Sequence, residues 1–223
     1  MKKFLSLSLI VLLCMGMLAG CGGGKDAGTD SNNDGAAAIK VGGTGPLTGG
    51  AAIYGTAVKQ AAEMAVEEVN AKGGVQFELK FEDDANDAEK AVNAFNNLKD
   101  WGMQISLGSV TSTPGTATSD ISMEDRIFTI TPSGSSTKVI EGKDNVFQMC
   151  FTDPNQGTAS AQYISEQNLA TKVAVIYKND DVYSTGIYEK FIEKANELGL
   201  DVVSTSTFTT DSQNDFSVQL TDA

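Results

Sequence analysis

Histidine is absent from this chain of 223 residues, cysteine occurs three times, and 16 basic residues stand against 29 acidic ones. The first absence removes the side chain most used for general acid–base work and metal binding, and no Gly-x-Ser-x-Gly elbow supplies a nucleophile in its place. A net charge of −13 gives no basic footprint, so no nucleic-acid partner is expected. An acidic surface instead keeps a protein dispersed in water. Cys14 and Cys21 lie in or beside an N-terminal apolar stretch, which leaves Cys150 as the thiol of the folded part. No intrachain disulfide is then available, and stability must come from the core. Together these absences speak against an enzyme and against a metal or organic cofactor.

What is present begins with an export signal. Met1-Lys2-Lys3 is basic, Phe4 to Met17 is almost uninterruptedly apolar, and Leu18-Ala19-Gly20 supplies small residues before Cys21. The apolar run is too short for a membrane span. Leu18-Ala19-Gly20-Cys21 resembles the lipobox of bacterial lipoproteins, which implies cleavage before Cys21, a diacylglyceryl group on its sulfur and a lipid anchor in the membrane. A plain signal peptide with a chance cysteine is the alternative. Residues 1–20 are read as signal and 21–38 as a flexible tether of Gly, Ala, Ser, Asn and Asp. Inside the tether Asp30 to Gly35 imitates the start of a calcium loop, but Val41 stands where the closing Glu belongs.

Folded structure is expected from Ile39-Lys40-Val41, followed by a glycine-rich loop from Gly42 to Gly50. Two nucleotide readings of that loop fail. Ala51-Ala52 replaces the Lys and Ser/Thr of a P-loop, and Thr48 stands where a dinucleotide fingerprint needs its third glycine. Val58, Ala61, Ala62, Ala65, Val66 and Val69 then recur as one helical stripe, ended by Gly73-Gly74. Phe77 to Phe81 reads as a strand, Ala88 to Leu98 as a second striped helix, and Ile105 to Leu107, Thr116 to Glu124 and Ile127 to Ile130 as strand, helix and strand. After Asn145 the pattern resets: Val146 to Phe151 extended, Asn155 to Gln167 helical, Val173 to Tyr177 a buried strand, Ile187 to Leu198 a striped helix and Val202 to Phe208 a strand. Strands alternating with helix-length connections predict an α/β fold with doubly wound, mainly parallel sheets covered on both faces.

Two loops stand out as a candidate site. Gly108-Ser109-Val110-Thr111-Ser112-Thr113-Pro114-Gly115 and Thr131-Pro132-Ser133-Gly134-Ser135-Ser136 each follow a short apolar run. In open parallel sheets ligands bind outside the carboxyl ends of the strands. Here those ends offer hydroxyls, glycines and backbone N–H groups, with no His, Cys, Lys or Arg. Such equipment holds something small and polar without breaking its bonds.

The order of Gly45-Pro46-Leu47-Thr48-Gly49, Tyr54-Gly55, Ala71-Lys72-Gly73-Gly74, Asp83-Asp84, Gly108 to Ser112, Ile130 to Ser133 and Gln156-Gly157 resembles the leucine/isoleucine/valine-binding proteins. These are the substrate-binding components of branched-chain amino-acid ABC importers. The resemblance runs from Ile39 to Ala223 and implies a periplasmic-binding-protein-like fold of two lobes, 39–151 and 152–223. The second lobe is expected to be incomplete, because the sequence stops at Ala223 about two turns into an apolar helix.

The resemblance also implies roles. Ser112 and Thr113 would hold a ligand carboxylate, at a helix start that favours an anion. The carbonyl of Ser133 and the hydroxyl of Ser135 would accept from an ammonium group, with Asp153 the nearest acid to pair with it. Tyr54 and Tyr183 would wall the side-chain pocket. The first loop is longer than usual for the family, which leaves Thr111 and Thr113 as alternatives to Ser112. Turn chemistry is the competing reading of the hydroxyls, and half-buried packing that of the tyrosines.

The function implied is capture of a small amino acid, branched-chain type favoured, by a monomeric lipoprotein outside the cell membrane that delivers it to an ABC permease. A ligand sensor for a signalling partner, and a binder of amides, urea-like compounds or aromatic acids, are the alternatives, since this kind of scaffold carries many ligands.

Overall fold

The computed structural model describes residues 37–223. The export signal, Cys21 and the calcium-like stretch from Asp30 to Gly35 lie outside the described residues. Five parallel strands, β1 (Ile39–Gly45), β2 (Phe77–Asp83), β3 (Ile105–Leu107), β4 (Phe128–Thr131) and β5 (Val146–Gln148), form one sheet in the order β2-β1-β3-β4-β5. Strand order reverses beside β1, and in such sheets the crevice at the reversal, outside the carboxyl ends, is where ligands sit. The connecting helices are α1 (Ala52–Ala71), α2 (Ala88–Trp101) and α3 (Ser112–Glu124).

The two faces of this sheet are built differently. On the α2 and α3 side, Phe95 and Leu98 are fully buried and pack with Met103 beneath Trp101, Ile121 and Ile127. Strands reach that core with small residues: a Cβ at Gly42 would lie 2.2 Å from the Met103 sulfur. Further along, Ser106, Thr129 and Thr131 are buried. Burying such hydroxyls requires partners, and Thr129 donates to Ser122 Oγ (3.0 Å) while Thr131 donates to the Ser109 carbonyl (2.8 Å). The opposite face is apolar and only partly covered. Helix α1 lies over β1 and β2, with Ala61, Ala65 and Val69 of its stripe exposed. Phe128 and Phe147 are each 46% exposed and pack on one another, ring centroids 5.3 Å apart. The expected cover on both faces therefore holds over β1 and β2 and not over β4 and β5, because no described helix reaches that side of those strands.

A second sheet pairs β6 (Lys172–Lys178) and β7 (Asp201–Phe208) in parallel. Helix α5 (Val182–Leu198) packs against it and against α4 (Asp153–Glu166), which shares its apolar core. Ala161, Phe191, Ala195 and Leu200 form its buried centre, extended by Ile164, Val173 and Val202. Helix α5 starts on the Asp181 side chain, which accepts from Ser184 N–H, and ends on Gly199 at φ +71°, a left-handed cap that glycine adopts without strain. A short α6 (Ser217–Asp222) follows.

Two helix starts differ from the sequence expectation, each by a proline. Helix α3 begins at Ser112 and not Thr116, and α4 at Asp153 and not Asn155. Pro114 and Pro154 sit in first turns, where the missing N–H removes no intrahelical bond. A Ser-Thr-Pro-Gly segment that reads as loop is therefore the opening of a helix.

Candidate functional site

The carboxyl ends of β1, β3 and β4 are knitted together by hydroxyls. Thr44 and Ser109 share a hydrogen bond of 2.7 Å, and Thr131 reaches the Ser109 carbonyl. Gln148, at the end of β5, donates from Nε2 to the carbonyls of Gly134 (2.6 Å) and Ser136 (2.9 Å), which fixes the second loop. The two loops singled out in the sequence meet directly. Ser112, 3% exposed, accepts at Oγ from the N–H groups of Ser135 and Ser136, both at 3.1 Å. Both hydroxyl lone pairs are thereby used. Its proton finds no acceptor among the described residues.

Beside these loops lies a cavity of about 330 Å³. Of the residues assigned from the sequence, Tyr54, Ser112, Ser133, Ser135 and Tyr183 line it, whereas Thr113 and Asp153 do not. Thr113 instead bridges two helix starts. Its hydroxyl donates to Asp181 Oδ1 (3.2 Å) and accepts from Val182 N–H (3.4 Å). Asp153 is 1% exposed, neither carboxylate oxygen has a hydrogen-bond partner, and its N–H donates to the Ser135 carbonyl at 3.0 Å. It faces a neighbouring cavity and packs against Gly186, where a Cβ would come 3.2 Å from Asp153 Oδ2. Burial pushes its carboxyl up from the ordinary carboxylate range.

The cavity wall adds residues that the sequence reading passed over: Asn86, Cys150, Phe151 and Asp181. Asn86 sits just past the carboxyl end of β2, so the crevice rule itself pointed there. Asp181 precedes the α5 stripe as a natural N-cap, two positions before Tyr183. With Tyr54, Phe151 and Tyr183 the wall is largely aromatic, and the Tyr183 hydroxyl pairs with the Gln156 amide at 3.2 Å. Burial raises the Cys150 thiol above its usual value, with the Asp153 charge adding to the effect, so it is a poor nucleophile.

Two features of the cavity wall differ in charge preference. Helix α3 starts without a side-chain cap: Thr111 occupies the N-cap position, but its hydroxyl donates to Asn86 Oδ1 at 2.7 Å. The N–H groups of Ser112 and Thr113 have no intrahelical partner and Pro114 has none to offer, so the start of α3 is open to an anion. Close by stands Asp181, whose Oδ1 accepts from the Thr113 hydroxyl and whose Oδ2 caps α5 through Ser184 N–H at 3.1 Å. The pair Asp83 and Asp84 serves the scaffold. Against the upward pull of burial, hydrogen bonds from Thr48 and from the N–H groups of Leu47 and Ala85 hold the Asp83 carboxyl below its ordinary value. Asp84 is fully buried, and burial pushes its carboxyl up to about 6 despite the bond from Asn86 N–H. Among the described residues no group of three or more Cys, Asp or Glu side chains is placed to hold a metal ion.

A two-sheet α/β body with an uncapped helix start and a carboxylate around one aromatic-walled cavity is the make-up of a solute-binding protein. The sequence from residue 38 to 223 matches the periplasmic binding protein family, and the chain belongs to it. Leu/Ile/Val-binding protein homolog 3 of Brucella melitensis biotype 1 is 33% identical over 187 residues, covering 82% of this chain and 50% of the relative. Leu/Ile/Val-binding protein BraC3 of Rhizobium johnstonii is 32% identical over 166 residues, 73% of this chain and 45% of the relative. Among solved structures, the substrate-binding protein LivJ of Streptococcus pneumoniae in complex with isoleucine superimposes with a TM-score of 0.76 at 30% identity, covering 83% of this chain and 53% of that one. The chain thus spans about half the length of the relatives it matches. A solute-binding protein of Rhodopseudomonas palustris in complex with benzoate shares the fold, with a TM-score of 0.76 at 23% identity over 83% of this chain and 52% of that one.

Proposed function

We propose that the chain captures a small amino acid, of the branched-chain type, in the cavity beside Ser112 and presents it to an ABC permease. The observation that carries this reading is the Ser112 hydroxyl, buried, saturated as an acceptor and left with a proton to give. It adjoins the open start of α3, so that end suits a carboxylate. Asp181 in the same wall suits an ammonium group, and the buried Asp153, whose carboxylate has no hydrogen-bond partner, is a second acid behind Ser135 in this reading of two lobes, 39–151 and 152–223. Aromatic walls with a few placed polar groups are the usual make-up of a specific small-molecule site. The names of the relatives support the branched-chain assignment. By the same resemblance the protein is exported, anchored through Cys21 and held at the outer face of the membrane as a monomer.

A second reading is a simple aromatic acid, favoured by Tyr54, Phe151 and Tyr183 in the wall and by the relative that binds benzoate. Asp181 weighs against it, because a carboxylate ligand with no cation leaves that acid facing a like charge. A melting scan with leucine, isoleucine, valine and benzoate separates the two. A ligand at a hundred times its dissociation constant adds about 2.7 kcal/mol to stability. An upward shift with one or more of the three amino acids and none with benzoate is expected. A shift with benzoate alone would replace the first reading by the second.

A further inference from the structure

Asn86 occupies a place that the fold has prepared with care. Asp84, buried at the end of β2, accepts from the Asn86 N–H at 2.9 Å, and Asn86 takes φ +60°, a left-handed conformation that asparagine tolerates better than most residues. Its side chain lines the ligand cavity. There Oδ1 accepts from the Thr111 hydroxyl at 2.7 Å. Thr111 is the N-cap of α3, and a threonine in that position ordinarily gives its side-chain oxygen to the helix backbone. Here it makes no such bond. Two things follow: the N–H groups of Ser112 and Thr113 stay uncapped, Pro114 having none, and the Asn86 Nδ2, with two N–H donors, is left without a partner among the described residues. A separate observation says what these donors await. Next to Thr111, the 3%-exposed Ser112 hydroxyl has both lone pairs occupied and a proton with no acceptor. Three kinds of donor, from backbone, hydroxyl and amide, thus meet on one stretch of the cavity wall with no acceptor among the described residues.

We propose that Asn86 selects for the carboxylate of the ligand: its Nδ2 donates to a carboxylate oxygen while its Oδ1 draws the Thr111 hydroxyl away from the start of α3. The inference rests on the amino-acid reading of the cavity and names a residue that this reading does not need. As a strut for its loop Asn86 would use only the Oδ1 acceptor, so the two roles differ in whether Nδ2 matters.

The isosteric Asn86→Asp variant separates these roles. It keeps an acceptor for Thr111 and the left-handed backbone, and replaces the donor with a negatively charged oxygen. Calorimetric titrations of the unaltered chain and the variant with leucine and with leucinamide, which has the same side chain and ammonium group but no carboxylate, give the readout. In the unaltered chain leucine is expected to bind at least ~10-fold tighter than leucinamide, and the variant is expected to cut that ratio at least ~10-fold. Asn86→Gly, which also accepts a positive φ, is expected to cut it as well, and its result stands should the aspartate variant fail to fold. If the unaltered chain binds leucine and both folded variants leave the ratio unchanged, Asn86 has no part in reading the carboxylate and the amino-acid reading survives. If the unaltered chain binds none of leucine, isoleucine and valine, both are overturned together.

Discussion

Two long helices begin at the cavity and treat their first turns in opposite ways. Helix α5 is closed by its own carboxylate, with Asp181 accepting from Ser184 N–H. Helix α3 has a capping residue of the right type, Thr111, whose hydroxyl is turned to Asn86. The first arrangement cancels the positive end of a helix dipole and leaves a net negative group in the cavity wall. The second keeps the positive end available, since the partial charge resides on the unbonded N–H groups. Thr113 spans the two, bonded to Asp181 and to Val182 N–H. A cavity wall that sets one helix terminus open and carries the acid that closes another offers groups of both signs, which is what a zwitterion matches and a simple acid or base does not.

The sharpest way to break this contrast is to close α3 as α5 is closed. Thr111→Asp supplies a charged cap to α3, and leucine binding is expected to weaken at least ~100-fold, about 2.7 kcal/mol, while helix stability holds or rises. Titration together with a melting curve checks both halves. Unchanged binding would mean that no anion sits at α3.

The scaffold under the open terminus titrates, and this gives the next effect. The Asp84 carboxyl, raised by burial to about 6, ionises later in the folded protein than in the unfolded chain, where its value is about 4. The folded state therefore holds the extra proton between those values, and stability falls as pH rises through that window and levels off above it. Asp84→Asn keeps the acceptor for Asn86 N–H and removes the fall. Relative to the unaltered chain it should gain roughly 2 kcal/mol on going from pH 4 to pH 7.5, read from paired denaturant titrations. Parallel stability curves would contradict the buried, uncompensated carboxyl.

Ser112→Ala leaves the N–H groups of Ser135 and Ser136 without their acceptor. A buried donor stripped of its partner costs about 1–3 kcal/mol, so a loss near the lower end is expected in chemical denaturation, with weaker leucine binding. The mildest change is Asp181→Asn, which keeps a good N-cap for α5 and removes the charge. Leucine affinity should fall about 10-fold, or 1.4 kcal/mol, while benzoate binding improves or stays level. Equal loss for both ligands would show that Asp181 acts only as a cap.

The alternation of apolar runs and striped helices was enough to give the strands, their parallel pairing and the two loops that meet at Ser112. That Ser112 and Ser135 lie beside a cavity was legible because residues at carboxyl ends of strands face the crevice whatever packs below, whereas Tyr54 and Tyr183, in the first turns of α1 and α5, came from the family resemblance alone. Thr113 and Asp153 were less legible, for different reasons. Whether a hydroxyl in a Ser-Thr pair turns to the cavity depends on where its helix starts, and Pro114 hid a start that lies at Ser112. Where Asp153 points depends on the approach of α5 at Gly186, a contact 33 residues along the chain that no local pattern encodes. Asn86 follows the carboxyl end of β2, where the crevice rule points, but the Asp83-Asp84 pair beside it carried no site signal, and its bond to Thr111 is a long-range contact that no local pattern encodes. The α1 stripe illustrates a further limit: periodicity states which face is apolar, and not what covers it.

One measurement bears most directly on the polarity of the cavity. Calorimetric titration of the chain with leucine, leucinamide and 4-methylpentanoate compares the zwitterion with its two singly charged halves, side chain held constant. Leucine should bind at least ~10-fold tighter than either. A deaminated acid that binds as tightly as leucine would contradict the pairing of an anion site with an ammonium site and leave only an anion site at the start of α3.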